Sequence, residues 1–185
     1  MFKAYDELPK SFVLRRHIDI ENNKKERRIV MLSSLIVFIG MFVLLGFIGV
    51  SVVFRIEHMF LMIFSIFVYI FLHEGLHVIA FHLAKDVRVK YKWHGFAVSA
   101  SVPNKYFDKR HYIIIGLAPL VVLSVALITA LVLVSSPLWF IYFFVLLAFH
   151  LSGSVGDVYV VWVVLRQGEH VLVNDYGAGM KIYGI

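Results

Sequence analysis

Four apolar stretches, 29–54, 59–84, 112–134 and 138–165, run through this chain of 185 residues. Each is long enough to cross a hydrocarbon core as a helix, which takes about 20 residues at roughly 1.5 Å each. The 61% hydrophobic content points the same way, because a soluble domain has too little interior to hide so much apolar surface. The expected fold class is therefore an all-α integral membrane protein with four transmembrane helices. The first stretch follows a polar segment, is too long for a signal-peptide core and lacks a small-residue cleavage site, so it is expected to remain as a span. The absence of cysteine excludes disulfides and thiolate metal sites and leaves His and carboxylates as the available metal ligands.

The net charge of +6 is unevenly distributed. Eight of the 18 Lys and Arg precede the first span, seven lie between Lys85 and Arg110, and two follow the fourth span. Only Arg55 occupies one of the other two connections. With four spans the three basic segments share one side, and the positive-inside rule makes that side cytoplasmic. A basic surface beside anionic lipid accounts for the charge without nucleic acid. The expected location is a cell membrane, bacterial in type, with both termini in the cytoplasm.

The chain divides into a cytoplasmic tail at 1–28, a membrane domain at 29–165 and a cytoplasmic tail at 166–185. One substantial connection interrupts the membrane domain. There Val87, Val89, Tyr91 and Trp93 alternate with Arg88, Lys90 and Lys92, the period of a strand. Gly95 offers a turn, and Phe96 to Val102 can return as a second strand. The reading is a small cytoplasmic β-hairpin at about 86–103, between the second and third helices. A similar, weaker pattern in the C-terminal tail places His170–Val173 and Lys181–Tyr183 on either side of Asn174, Asp175, Tyr176 and Gly177.

The second span contains His73, Glu74, Gly75, Leu76 and His77. Helical residues four apart lie about 40° and one turn from each other, so both imidazoles can face one Zn2+ ion. Glu74 is then beside the metal, placed to take a proton from an attacking water and to pass it to a leaving amine. An acid at the centre of a span costs on the order of 2.5–3.5 kcal/mol on insertion scales. Three polar groups at one place in an apolar helix therefore point to function more than to incidental hydrogen bonding between helices. His82, nine residues from His73, faces away and belongs at the headgroup boundary.

Catalytic zinc usually has three protein ligands, and the fourth span offers two candidates for the third, His150 and Asp157. Depth favours Asp157. His73 and His77 lie roughly 10–16 Å from the cytoplasmic end of their helix, Asp157 roughly 12 Å from the end of its own, and His150 about 10 Å deeper. His150 is left as a second layer behind the ligands or as part of a water path. Gly116, Leu117, Ala118 and Pro119 in the third span are explained by close helix packing.

An HExxH helix, a cytoplasmic β insertion, a helix with a Gly-x-x-Pro element and a helix with a buried Asp follow one another in that order. This order resembles the catalytic core of the site-2 protease group of intramembrane metalloproteases. From about Tyr69 onward the chain more closely resembles small bacterial zincin peptidases classed as a domain of unknown function. Two departures from the site-2 pattern are Gly156-Asp157-Val158 in place of Leu-Asp-Gly and the lack of Asn after Pro119. The resemblance implies hydrolysis of peptide bonds in membrane-protein or peptide substrates, within or next to the bilayer. Val87, Val89 and Tyr91 would engage an unwound substrate segment by strand addition.

Two other function classes fit parts of the same pattern. One is a non-catalytic zinc-binding membrane regulator, and the other a metal or proton transporter relaying through His73, Glu74, His77 and Asp157. An intact Glu74 favours the enzyme, because a structural site has no use for a general base. The charge split gives a direct test of orientation: single cysteines at Arg55 and Ser136 should be labelled only from outside the cell. Labelling of both from the cytoplasm would reverse the topology.

Overall fold

The structure is a computed structural model that describes residues 4–50, 56–83, 87–94, 97–177 and 179–185. Asn23 starts helix α1 (Lys24–Ile48) by accepting hydrogen bonds from the amides of Lys25 and Glu26, and Gly49 ends it at φ +71°, a conformation glycine adopts freely. Helix α2 (Ile56–Phe81) begins before the apolar stretch that starts at residue 59 and includes Glu57 and His58 in its first turn. Asp108 caps α3 (Lys109–Leu133) through the amide of His111, and Pro137 opens α4 (Pro137–Gly153) at a position where a missing N–H is harmless. Helix α5 (Val155–Leu165) continues the line of α4 across Ser154. The Ser154 amide still bonds the His150 carbonyl, and the Val158 amide bonds that of Ser154. Together α4 and α5 form one span of 29 residues, and four helical units are long and apolar enough to cross a membrane.

The all-α expectation requires correction. A five-stranded antiparallel sheet caps one end of the helices in the order β1-β5-β6-β7-β2. Its strands are β1 (Ala4–Tyr5) and β2 (Val13–Asp19) from the N-terminal tail, β5 (Tyr106–Asp108) from the central connection, and β6 (Val171–Asp175) and β7 (Gly179–Gly184) from the C-terminal tail. The C-terminal hairpin follows the pattern read from the sequence. The N-terminal strands do not. Arg15 and Arg16 lie on an exposed strand whose pairing partner is 170 residues away, as the bond from Arg15 to the Ile185 carbonyl illustrates. The expected hairpin forms a separate two-stranded sheet, β3 (Lys90–His94) with β4 (Ala97–Ser101). Gly95 and Phe96, where its turn was placed, lie outside the described residues, as do Arg55 and the last residue of the expected second span, Ala84.

Because the two tails and the central connection pair in one sheet, the three basic segments lie at the same end of the helices. The sheet's inner face supplies Ile18, Phe107, Val173, Met180 and Ile182 to a buried core. Phe81, Tyr112, Ile115 and Val164 meet them from the helix ends. Further along the helices the large apolar side chains point outward, Phe47 at 84% and Val132 at 78% exposure, the arrangement expected where the solvent is lipid. Gly116 lets α3 approach Val161 of α5 closely, and Phe38 of α1 packs edge-on against Phe149 of α4 at 5.1 Å between ring centroids.

Two contacts tie the sheet to the helices and to itself. The Glu26 carboxylate, 4% exposed, accepts from the Asp19 amide at 2.9 Å and from Arg16 at 3.3 Å, fixing β2 to the start of α1. Asn174 donates to the carbonyls of Pro103 and Lys105 at 2.6 and 2.9 Å, fixing β6 to the central connection. Gly179 has no room for a side chain, since a Cβ there would collide with the Ile18 carbonyl and the Tyr176 ring. Gly179→Ala should separate β7 from β2 at a cost of about 1–3 kcal/mol. Faster limited proteolysis of the N-terminal tail would show it, and an unchanged cleavage pattern would mean that the pairing tolerates the methyl group.

Candidate metal centre

Helix periodicity puts Tyr69, His73 and His77 on one face of α2, and that face turns toward α3 and the α4–α5 line. Both imidazoles are 9% exposed. Their Nε2 atoms meet the carboxylate of Asp157: His73 Nε2 lies 3.1 Å from Oδ2 and His77 Nε2 lies 3.5 Å from Oδ1. One ligand atom from each of His73, Glu74 and His77 also falls within 4.8 Å of the others.

These separations suit a metal. Zinc with bonds of about 2.0–2.1 Å to N and O holds neighbouring tetrahedral donors about 3.3 Å apart. The far side of each imidazole is engaged as well. His77 Nδ1 donates to the Ile115 carbonyl at 2.9 Å, which leaves the Nε2 lone pair toward the cavity, and His73 Nδ1 lies 3.2 Å from the Tyr69 hydroxyl. The surrounding cavity, about 220 Å³, is lined by three carboxylates, Glu74, Asp157 and Asp175, and among the described residues by no Lys or Arg. Negative and neutral donors converging without a basic side chain fit a divalent cation, and zinc is the ion favoured by a donor set of two imidazoles and a carboxylate.

The other residues singled out from the sequence fall in distinct places. Glu74 accepts a hydrogen bond from the Ala100 amide of β4 at 2.7 Å. His150 is fully buried one layer behind the cluster, its ring centroid 6.3 Å from that of His73. His82 is exposed and bonds back to the Val78 carbonyl. Val87 is buried in the core, Val89 packs against that core, and Tyr91 is 64% exposed. The hairpin strand that lines the cavity is β4, through Ser99 and Ala100.

Tyr112 and Asp175, which line the cavity, and Tyr69, which stands behind His73, escaped the sequence reading. Tyr69 was within reach of it, one helical turn before His73. Tyr112 and Asp175 were not, because only the closure of the sheet brings β6 beside α3. There the Tyr112 hydroxyl donates to Asp175 Oδ2 at 2.7 Å and the Gly177 amide to Oδ1 at 2.8 Å. Burial pushes the Asp175 carboxyl up to about 6 in spite of these two donors. An acid whose folded pKa is raised stabilises the fold while protonated and loses that contribution as pH rises through the folded value. Relative to Asp175→Asn, the metal-free wild type should therefore lose thermal stability between pH 3.8 and about 6 and change little above it. A constant difference in melting temperature across that range would show that Asp175 is not held protonated.

A family model described as putative zincin peptidase matches residues 66–172, from the middle of α2 to the start of β6. No curated protein and no solved structure matches the chain.

Proposed function

The chain belongs to the putative zincin peptidase family, and from that premise we propose that it is a zinc metallopeptidase hydrolysing peptide bonds within or next to the membrane. The observation that carries the reading is the convergence of His73 Nε2 and His77 Nε2 on the Asp157 carboxylate, with Glu74 on the same helical turn. His73, His77 and Asp157 would hold the ion, which when bound supplies Lewis acidity toward a carbonyl and toward water. Orientation follows the charge split, with both tails and the hairpin in the cytoplasm.

Glu74 is the general base. It takes a proton from the water whose oxygen bonds to the scissile carbonyl carbon, and returns it to the departing nitrogen as the C–N bond breaks. The Ala100 amide that Glu74 now engages lies on β4, whose only strand partner among the described residues is β3. When Glu74 turns to the water, that amide becomes free to receive a substrate carbonyl. An extended substrate segment then lies along β4 rather than along Tyr91 of β3 or the preceding Val87 and Val89.

The decisive comparison is between zinc content and cleavage. Glu74→Gln should keep about one zinc per chain and lose cleavage of a quenched-fluorescent transmembrane peptide by about 10²–10⁴-fold, since Gln preserves size but accepts no proton. His73→Ala, His77→Ala and Asp157→Ala should lose the metal. Undiminished cleavage by Glu74→Gln would remove the peptidase mechanism.

A further inference from the structure

We propose that Tyr69 and His150 form a proton-ordered relay that fixes the tautomer of His73 and thereby sets the zinc affinity of the centre; this rests on the metallopeptidase reading above. The Tyr69 hydroxyl sits between two imidazoles, 3.2 Å from His73 Nδ1 and 3.3 Å from His150 Nδ1. At the far end His150 Nε2 lies 3.2 Å from the Leu120 carbonyl and 3.0 Å from the Ser124 hydroxyl, both on α3. Five groups on three helices thus make one chain of hydrogen bonds that ends at the candidate metal cluster.

One direction satisfies both ends of that chain. The Leu120 carbonyl can only accept and the Ser124 hydroxyl can accept as well as donate, so a neutral His150 ring meets both partners with its proton on Nε2 and presents a lone pair at Nδ1. The Tyr69 O–H donates to that lone pair, and the Tyr69 oxygen is left to accept from His73 Nδ1–H. His73 then has its Nε2 lone pair directed at Asp157 and the cavity, the tautomer that a metal ligand requires. Starting from the metal gives the same order in reverse. A chain running the other way would set the His150 Nε2 lone pair against the Leu120 carbonyl and protonate the very atom that must bind zinc.

His150 is fully buried and meets no solvent that could substitute for these partners. Tyr69 and His150 are therefore positioning residues, since neither approaches the reacting atoms. Their effect on the metal comes through the basicity and orientation of His73.

The test is zinc affinity by chelator competition on the full-length protein in detergent, together with the absorption spectrum of the Co2+-substituted form. Tyr69→Phe, which removes one oxygen, should weaken zinc binding about 10–100-fold and shift the Co2+ bands. His150→Ala should do the same. The double variant should be no weaker than either single one, because a series relay fails as a unit, whereas independent packing losses would add. His150→Gln, which keeps an acceptor for Tyr69 and a donor for Leu120, should restore affinity to within a few-fold of wild type. Unchanged affinity and spectrum in Tyr69→Phe, additive losses in the double variant, or loss of all zinc in His150→Ala would each overturn the relay. A wild-type protein that binds no zinc would instead overturn the metallopeptidase reading.

Discussion

Two imidazoles and a carboxylate on one turn of an apolar helix are unstable in hydrocarbon unless every polar atom is met by a partner. The cost of an unmet acid there, on the order of 2.5–3.5 kcal/mol, is a sizeable share of the net stability of a domain this small. The partners come from α2 itself, from α3, from α5 and from β4. Asp157 faces the two Nε2 atoms, the Ile115 carbonyl takes His77 Nδ1, Tyr69 meets His73 Nδ1, and the Ala100 amide meets Glu74. Helix packing follows from this requirement, since Asp157 reaches the cluster only where Gly116 lets α3 and α5 close together.

The same requirement gives the sheet its place. The helix ends alone would leave the cluster open along the mouth of the bundle, and the hairpin turn of β6 and β7 occupies that mouth with Asp175, Gly177 and Gly179 lining the cavity. The sheet core of Phe107, Met180 and Ile182 and the helix ends at Phe81 and Ile115 form one buried unit. The mouth and the His73–His77–Asp157 cluster therefore share one packed unit.

What was legible in the sequence is what depends on short spacing. The spans showed as runs, the His73–Glu74–His77 turn as a helical pattern, and the β3–β4 and β6–β7 hairpins as alternation around turn residues. Counting along helices puts Asp157 at the depth of His73 and His77, because rise per residue converts directly to depth, and its carboxylate does lie beside both Nε2 atoms. The all-α reading failed because β2, Val13–Asp19, carries Arg15, Arg16 and His17 together, and its apolar contacts are made by Ile18 and by pairing with a strand at the other end of the chain. For Val87, Val89 and Tyr91 the signal is alternation alone, and it does not distinguish Tyr91 on β3 from Val87 and Val89, which precede that strand and pack into and against the core. Asp175 carried no local signal at all.

The strand order β1-β5-β6-β7-β2 also imposes an order on biogenesis. β2 precedes α1 to α5 in the chain, yet its sheet partner β7 follows them, so all four spans are synthesised before β7 can cover the edge of β2. Bringing together segments so far apart is slow, and an uncovered strand edge is the part of a nascent chain most open to mispairing. Basic side chains at Arg15 and Arg16 repel a second copy of the same edge during that interval. The cavity wall at Asp175 and Gly179 is completed by that same last pairing. A nascent chain therefore carries its His73–Glu74–His77 turn past the synthesis of all four spans with the mouth still open, and closes it only once β7 has been made.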